Sequence, residues 1–306
     1  MDIVVFGAGS IGSLFGALLA RVPEHSVTLV GRDQHIAAVR DSGLRVTGVD
    51  EFVVRPSATT DGTDLSADLA LVTVKAFDTE AAAEELATGA FRAVCSLQNG
   101  MGNEGTLARY LECPVLAGTT SYGAVREGPG EVAWNGSGEV VVGPWDPREA
   151  DGAADEVGDA FAAADLSITV ADADGIRRRL WHKLAANAAI NPTTALARVE
   201  NGALGNQPGS DLVEPIAREA AATARASGID IVDEEAAAAV AEVIEATAGN
   251  ESSMYRDVER GRRTEIDVIN GYVVEQARKH GVDVPANETL WTLIRTWEAG
   301  REPRDP

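Results

Sequence analysis

The chain has 306 residues, enough for one large or two medium domains, and its hydrophobic fraction of 45% is ample for buried cores. Forty-eight acidic residues against 26 basic ones give a formal net charge of −22, which argues against nucleic acid and anionic membranes as partners. Apolar runs stay short of the ~20 residues that span a bilayer, and the N-terminus shows a strand rather than a signal sequence, so we expect a cytoplasmic protein.

The charge also bears on stability. A net charge this large destabilises the compact state by self-repulsion unless salt screens it. The acidic, alanine-rich composition is combined with only three lysines, Lys75, Lys183 and Lys279, against 23 arginines. We interpret this as adaptation to high intracellular salt, that is, a halophilic acidic protein; the alternative is an ordinarily acidic protein.

The N-terminal segment carries a dinucleotide fingerprint. An apolar strand at residues 2–6 ends at Gly7-Ala8-Gly9-Ser10-Ile11-Gly12, and a helical stretch at 13–21 and a second strand at 26–30 follow. In this context the first glycine makes a tight turn, the second lets the backbone approach a pyrophosphate, and the third allows close packing of helix on strand. All six residues are candidate cofactor contacts.

The residues after the second strand bear on the choice of cofactor. NAD enzymes place an acidic residue there to bind the ribose 2′-hydroxyl, whereas this chain has Gly31, Arg32 and Asp33. Gly31 leaves room, and Arg32 offers a guanidinium to a 2′-phosphate, which favours NADP(H). Asp33, the adjacent acidic residue, would instead favour NAD.

Further strands end at residues of chemical interest. A continuous apolar strand at 68–74 ends at Lys75, and after a helix at 79–86 the strand at 93–97 leads into a turn that contains Asn99. In open α/β sheets cofactors bind at this carboxyl edge. Shorter strands are predicted at 115–119, 131–134, 139–142 and 166–170. Cys95 and Cys113 fit neither a disulfide framework nor a zinc site, and we expect no metal.

The pattern becomes helical almost throughout after about residue 174. We therefore predict an α/β N-terminal domain of the Rossmann type at residues 1–174, with a mostly parallel, doubly wound sheet. An all-helical domain follows at residues 175–306.

The segment WHKLAANAAINPTTAL, residues 181–196, begins the helical half. Lys183, Asn187 and Asn191 stand four residues apart, and each such step drifts by only about 40° around a helix, so the three share one stripe. Their neighbours are apolar, which indicates either a wall facing a small polar ligand or a buried polar network between helices. Because lysine is so scarce in this chain, we favour the ligand site: arginine cannot exchange a proton at neutral pH.

A second polar cluster comprises Asn250, Ser253 and Glu265. The stretch 250–253 can cap a helix, and a helix N-terminus in a crevice also binds carboxylates. Glu265 lies among arginines and is of catalytic interest only if it lies beside Lys183.

Together these pieces resemble the ketopantoate reductase (2-dehydropantoate 2-reductase) family. The similarity comprises GAGSIG, TVKAFDT around Lys75, QNGMG around Asn99, GTTSYGA at 118–124, WHKLAANAAINPTTAL and SSMYRDVERGRRTEIDVING at 252–271. The resemblance implies a Rossmann domain joined to a helical domain, with the active site in the cleft between them. It also implies NADPH-dependent reduction of 2-dehydropantoate to (R)-pantoate in pantothenate and coenzyme A biosynthesis.

The resemblance implies roles for individual residues as well. Lys183 takes the position of the general acid, with Glu265 near it and the cofactor. The implied substrate-binding residues are Asn99, Lys183, Asn187, Asn191, Asn201, Asn250 and Ser253. The implied cofactor contacts beyond the fingerprint are Arg32, Lys75, Asn99, Ala124 and Glu265.

Two rival functions remain open. One is a related two-domain dehydrogenase that acts on another 2-keto or 3-hydroxy acid, since fold alone does not choose a substrate. The other is a cofactor-binding sensor without turnover, which has no need of Lys183 with Glu265. The oligomeric state also stays open, with a homodimer as one candidate assembly.

Overall fold

A computed structural model of the chain describes residues 1–146 and 152–301. Within it the chain divides into two compact units. The first comprises Met1–Gln98 and Asn103–Arg177, and the second comprises Asn99–Gly102 and the chain from Arg178 onward. The short turn after the strand that ends at Ser96 is thus grouped with the helical unit, although the chain on both sides of it belongs to the first unit.

The first unit is built from strands with interspersed helices. Its strands are β1 (Asp2–Phe6), β2 (Ser26–Val30), β3 (Leu44–Gly48), β4 (Phe52–Val54), β5 (Ser57–Thr59), β6 (Ser66–Val72), β7 (Ala90–Ser96), β8 (Val115–Thr120), β9 (Gly123–Gly128), β10 (Glu131–Gly136), β11 (Val140–Pro144) and β12 (Ile168–Val170). Its helices are α1 (Ser10–Leu19), α2 (Asp33–Ser42), α3 (Thr79–Leu86), α4 (Asn103–Tyr110) and α5 (Ala153–Ala163).

Eight of these strands form one sheet in the order β12-β11-β8-β7-β6-β1-β2-β5, and only the β8–β11 pair is antiparallel. Strand β1 pairs with β2 on one side and with β6, which comes later in the chain, on the other. The strand order therefore reverses between β1 and β6, and in sheets of this kind the crevice at the carboxyl ends of such strands is where a ligand binds.

A second, four-stranded sheet has the order β4-β3-β10-β9. The residues Gly12–Leu19 of α1 are all buried, because this helix packs on strands of both sheets. Leu14, Phe15 and Leu19 have no exposed surface and form the centre of a core that draws on both sheets. An apolar helix with no polar face fits this position between two sheets.

All regular secondary structure among the described residues of the second unit is helical. Its helices are α6 (Ala173–Ala197, which begins in the first unit), α7 (Gly209–Ala226), α8 (Asp233–Ala246), α9 (Ser253–Glu259), α10 (Asn270–His280) and α11 (Pro285–Ala299). Glu219 of α7 fixes the start of α11, because its two carboxylate oxygens accept the backbone N–H groups of Ala286 and Asn287, each at 2.9 Å.

The predicted fold class is confirmed: a mostly parallel, doubly wound sheet precedes a helical region. The strands at 2–6 and 26–30 and the helix at 79–86 have the predicted bounds. The strands predicted at 68–74 and 93–97 lie two or three residues earlier at the start, at Ser66–Val72 and Ala90–Ser96. The four-stranded sheet is absent from the sequence-based prediction, because β4 has only three residues and both β4 and β9 are only partly buried, which weakens their hydrophobic pattern.

Among the helices of residues 1–146 and 152–301, none combines the length and apolar character needed to cross a membrane.

The net charge of −22 leads to a prediction about stability. Raising KCl from 0.1 M to 1 M shortens the Debye length from about 10 Å to about 3 Å, which screens the repulsion among surface carboxylates. We expect the thermal midpoint to rise by several degrees over this range. Sucrose at matched osmolality is the control, because it favours burial without screening charge. An unchanged midpoint in KCl, or an equal rise in sucrose, would contradict the halophilic interpretation.

Candidate active site

The loop after β1 is shaped by its glycines. Gly7 has φ of +112°, and a Cβ there would lie 2.6 Å from the backbone nitrogen of Val74. A Cβ on Gly12 would lie 2.2 Å from the carbonyl oxygen of Gly7. Both positions therefore exclude a side chain, because the backbone turns sharply at one and the helix packs closely at the other.

Gly9 differs from its two neighbours in the fingerprint. A Cβ on Gly9 would meet only the carbonyl oxygen of Gly7, at 3.9 Å, so the space beside it is open. Gly9 is also the N-cap of α1, whose first turn contains no acidic residue and whose terminus receives no side-chain cap. Uncapped N–H groups beside open backbone fit the pyrophosphate of a dinucleotide.

The carboxyl ends of β1 and β6 are joined by hydrogen bonds. The backbone N–H of Thr73 donates to the carbonyl of Phe6 at 2.9 Å, and its hydroxyl donates to the carbonyl of Gly7 at 2.7 Å. Lys75 follows two residues later, partly buried, and begins a short 3-10 helix at Ala76–Asp78. The structure thus places Lys75 and the fingerprint at the same edge of the sheet.

Arg32 follows β2 directly and is the N-cap of α2, with its side chain exposed. Gly31 before it lies close to Ala8, since a Cβ on Gly31 would be 2.9 Å from the Cβ of Ala8. Asp33, also exposed, is the first residue of α2. The structure therefore keeps both the cationic and the acidic candidate at the position that selects between cofactors.

His35, on α2 near Arg32, connects α2 to neighbouring elements by hydrogen bonds. Its Nδ1 accepts the backbone N–H of Gly130 at 3.0 Å, so the proton resides on Nε2, which donates to the hydroxyl of Ser13 at 3.0 Å. Burial, and then the cation of Arg126, lower the pKa of His35. A neutral histidine of fixed tautomer thus joins α1, α2 and the turn between β9 and β10.

Ala124 lies on β9, partly buried. The same strand is fixed to the start of α1, because the backbone N–H of Arg126 donates to the hydroxyl of Ser10 at 3.0 Å. Ser10 and Ala124 therefore lie on elements that are directly connected.

In the second unit, α6 carries the predicted stripe on one continuous helix. Lys183 and Asn187 are partly buried, and Asn191 is buried. The helix continues through Pro192, which lacks the N–H that would bond the carbonyl of Ala188. That carbonyl instead accepts the side-chain amide of Asn270 at 3.0 Å, so α10 completes the hydrogen bonding of α6 next to Asn187.

Lys183 and Glu265 interact electrostatically. Burial lowers the pKa of the Lys183 ammonium from 10.5 to about 8, against the opposing influence of the Glu265 carboxylate. The side-chain amide of Asn99 donates to Glu265 at 3.5 Å. A lysine with this pKa is still mainly protonated at neutral pH and can release its proton within the physiological range, which suits a proton donor.

Ser252 joins the second polar cluster to α6. It is the N-cap of α9, its hydroxyl accepting the N–H of Tyr255 at 3.1 Å, and it bonds the hydroxyl of Thr194 at 2.8 Å. Ser253 and Asn250, on either side of the cap, are exposed.

Asn201 is buried and forms hydrogen bonds with the segment that precedes α9. Its N–H donates to the carbonyl of Asn250 at 2.9 Å, and its side-chain amide donates to Thr247 at 2.9 Å. Its Oδ1 is buried without a hydrogen-bond partner among the described residues. The hydrogen bond from its N–H therefore helps to position the backbone of Asn250.

Comparison with known families decides the relationship of the chain. The model described as "Ketopantoate reductase PanE/ApbA" matches residues 3–147, and "Ketopantoate reductase PanE/ApbA C terminal" matches residues 175–298. The chain belongs to the ketopantoate reductase family. The resemblance stated from the sequence motifs is thereby confirmed.

Individual family members cover the chain almost completely. A 2-dehydropantoate 2-reductase from Halobacterium salinarum is 41% identical over 96% of this chain and 98% of its own length. The crystal structure of a PanE/ApbA family ketopantoate reductase from Ralstonia eutropha JMP134 matches at 34% identity with a TM-score of 0.88, covering 98% of this chain and 99% of that one.

A further match comes from a related dehydrogenase. The ternary structure of D-mandelate dehydrogenase with NADH and anilino(oxo)acetate matches with a TM-score of 0.90 at 26% identity, covering 98% of both chains. Family membership places the chain among the oxidoreductases, and this fold is one that accommodates a nicotinamide cofactor.

Several supporting residues of this ketopantoate reductase family member were missed by the sequence analysis. Thr194 and Asn270 fall within the quoted motifs, and the proline inside α6 is a signal that a side chain must satisfy a free carbonyl. His35 has no local signal, because its partners Ser13 and Gly130 lie 22 and 95 positions away in the sequence.

Proposed function

We propose that this protein reduces 2-dehydropantoate to (R)-pantoate with NADPH, as a step of pantothenate and coenzyme A biosynthesis. The observation that carries the proposal is the electrostatic interaction of Glu265 with Lys183, which belongs to the partly buried polar stripe of α6, in a chain of this family. We assign most of the cofactor contacts to residues 1–174, with Glu265 added from the helical part, and most of substrate binding and catalysis to residues 175–306, with Asn99 added from the first part.

The fit of the first unit to NADP(H) rests on its glycines and on Arg32. The open backbone at Gly9 and the uncapped start of α1 would hold the pyrophosphate, together with Ala8, Ser10 and Ile11. Arg32 would hold the 2′-phosphate. The remaining contacts proposed for the cofactor are Lys75, Asn99, Ala124 and Glu265. When bound, the cofactor supplies the hydride.

Lys183 performs the proton chemistry of the proposed reaction. Its ammonium polarises the C2 carbonyl of the substrate and donates a proton to the oxygen as negative charge develops there. Glu265 orients the ammonium and opposes the effect of burial on its pKa.

The asparagines and Ser253 orient the substrate. Asn99, Asn250 and Ser253 would bind the carboxylate, while Asn187 and Asn191 would bind the hydroxyl end, and Asn201 supports this set through Asn250. A substrate analogue without the hydroxyl should be rejected, because it would leave buried amides unpaired.

Steady-state assays of a 2-keto acid panel with NADPH and NADH, at low and molar KCl, test the function. We expect 2-dehydropantoate with NADPH to have the highest kcat/KM. Preferred turnover of phenylglyoxylate, the keto acid that corresponds to mandelate, would favour the rival dehydrogenase. Tight NADPH binding without turnover of any keto acid would favour a sensor.

The Arg32→Ala variant tests the choice of cofactor. Loss of charge-assisted hydrogen bonds to the 2′-phosphate should raise KM for NADPH roughly 10- to 100-fold and leave NADH kinetics nearly unchanged. Arg40→Ala, at the other end of α2, is the matched control and should alter neither. Equal weakening of both cofactors, or of neither, would mean that Asp33 or another group binds the ribose.

A further inference from the structure

Glu298, near the end of α11, binds a segment that has no regular secondary structure. Its Oε1 accepts two hydrogen bonds from Thr264, one from the backbone N–H at 2.7 Å and one from the hydroxyl at 2.8 Å. Thr264 is 3% exposed, so both donors would lack a partner in the protein interior without this carboxylate.

Thr264 in turn fixes the backbone around Glu265. The Thr264 hydroxyl donates to Glu298 and also accepts the backbone N–H of Ile266 at 3.3 Å. This second hydrogen bond connects the two residues that flank Glu265. Glu265 then begins a short 3-10 helix at Ile266–Val268. The position of the Glu265 side chain therefore depends on the hydrogen bonds of the residue before it.

The same 3-10 helix has two further attachments within the second unit. The indole N–H of Trp291, on α11, donates to Asp267 at 2.8 Å, and the backbone N–H of Met101 donates to the carbonyl of Val268 at 3.0 Å. Helix α11 thus holds the Glu265 segment on both sides, through Glu298 before it and through Trp291 after it.

We propose that Glu298 is a positioning residue for the reaction, which keeps the Glu265 carboxylate where its charge acts on the Lys183 ammonium, by accepting both hydrogen bonds from Thr264. This inference rests on the proposed function, because it gives Lys183 and Glu265 their catalytic meaning. Glu265 is the carboxylate whose charge acts on Lys183. His182, the neighbouring titratable residue on α6, instead approaches Glu235 at 3.3 Å.

Loss of the Glu298 acceptor should alter the titration of Lys183. If Thr264 moves to find other partners, the Glu265 carboxylate moves with it, and burial acts on the ammonium with less opposition. The midpoint of Lys183 should then fall below that of the unaltered protein, and the alkaline limb of kcat should move to lower pH. A purely structural role for Glu298 would lower thermal stability but leave this midpoint unchanged.

The scarcity of lysine makes the titration directly measurable. With lysine labelled at 13Cε, the holoprotein gives three lysine signals, from Lys75, Lys183 and Lys279. The exposed Lys279, paired with Glu275 at 2.8 Å, serves as an internal reference. For Glu298→Ala we expect a lower Lys183 midpoint and a kcat lowered roughly 10- to 100-fold, the size of effect that misplacement of a catalytic group produces.

Two further variants distinguish positioning from helix stability. Glu298→Gln keeps an acceptor oxygen at the same place and should retain a Lys183 midpoint near that of the unaltered protein. Glu288→Ala removes a carboxylate of the same helix that pairs with Arg278 on the surface, and it should change neither kcat nor the midpoint.

The outcomes separate the two proposals. An unchanged Lys183 midpoint in Glu298→Ala, or an equal change in Glu288→Ala, would overturn the positioning role. Should the alanine variant fail to fold, Glu298→Asp keeps the charge and withdraws the acceptor by one carbon, so an unchanged midpoint there would also overturn it. A protein without turnover of 2-dehydropantoate would refute the proposed function, whereas the NMR titration would still show whether Glu298 acts on Lys183.

Discussion

Replacing Lys183 with alanine should lower kcat by roughly 10²–10⁴-fold, the usual contribution of a general acid. The variant should fold, because the chain is large and a lysine placed for function contributes little to the stability of its own site. NADPH binding, followed by fluorescence titration, should be retained. Lys279→Ala, a surface lysine, is the matched control and should keep full activity.

Lys183→Arg separates proton donation from charge. Arginine keeps the positive charge but does not give up a proton readily, so a severe loss in both variants supports proton transfer. Near-normal turnover in the arginine variant would show that charge alone is needed. Near-normal turnover in the alanine variant would reduce the stripe of Lys183, Asn187 and Asn191 to a packed polar network and refute the proposed mechanism.

The same assignment determines the pH dependence of the reaction. In the proposed mechanism the ammonium is the active form, so kcat should be at its plateau well below the pKa of Lys183 and fall as pH rises through about 8. The pH midpoint obtained from kcat reports the pKa of Lys183 in the enzyme–substrate complex. An alkaline limb near the ordinary lysine value of 10.5 would show that burial does not govern this group.

Alanine substitutions at Gly9 and Gly12 should have different effects. At Gly12 the new Cβ would lie 2.2 Å from the Gly7 carbonyl and 2.4 Å from the hydroxyl of Thr73, so we expect a destabilisation of about 1–3 kcal/mol or more. At Gly9, where φ is −80° and space is open, the fold should be unaffected. The methyl group would instead obstruct the approach of the pyrophosphate, and Kd for NADPH should rise about tenfold or more.

Denaturant unfolding without cofactor and fluorescence titration with NADPH measure the two effects separately. Gly105→Ala, on α4, is the control: its Cβ would have no neighbour within 4 Å, so stability should be unchanged or slightly higher and NADPH affinity unchanged. An equal loss of stability at Gly9 and Gly12, or unchanged NADPH affinity in Gly9→Ala, would mean that this loop does not hold the pyrophosphate as proposed.

Local patterns were sufficient for much of the fold. The fingerprint between two β-branched apolar strands predicted β1, α1 and β2, because the turn, the helix start and the strands all follow from residues next to each other in the sequence. The stripe of Lys183, Asn187 and Asn191 was likewise predictable, since a four-residue period determines which helical residues share a face. The four-stranded sheet was not, because pairing of short strands is decided by distant partners.

What the sequence by itself determined is the fold class, the dinucleotide fingerprint, the family and the polar stripe, all of which depend on residue type at short spacing. Only the tertiary structure decided how these residues are held. It placed the Glu265 carboxylate where it acts on Lys183, 82 positions along the chain, and revealed that Asn270 satisfies the carbonyl freed by Pro192. It also showed that Glu298 accepts two hydrogen bonds from Thr264, the residue before Glu265. These contacts join residues far apart in sequence, and their strength depends on burial and hydrogen-bond geometry, which no local pattern of residues encodes.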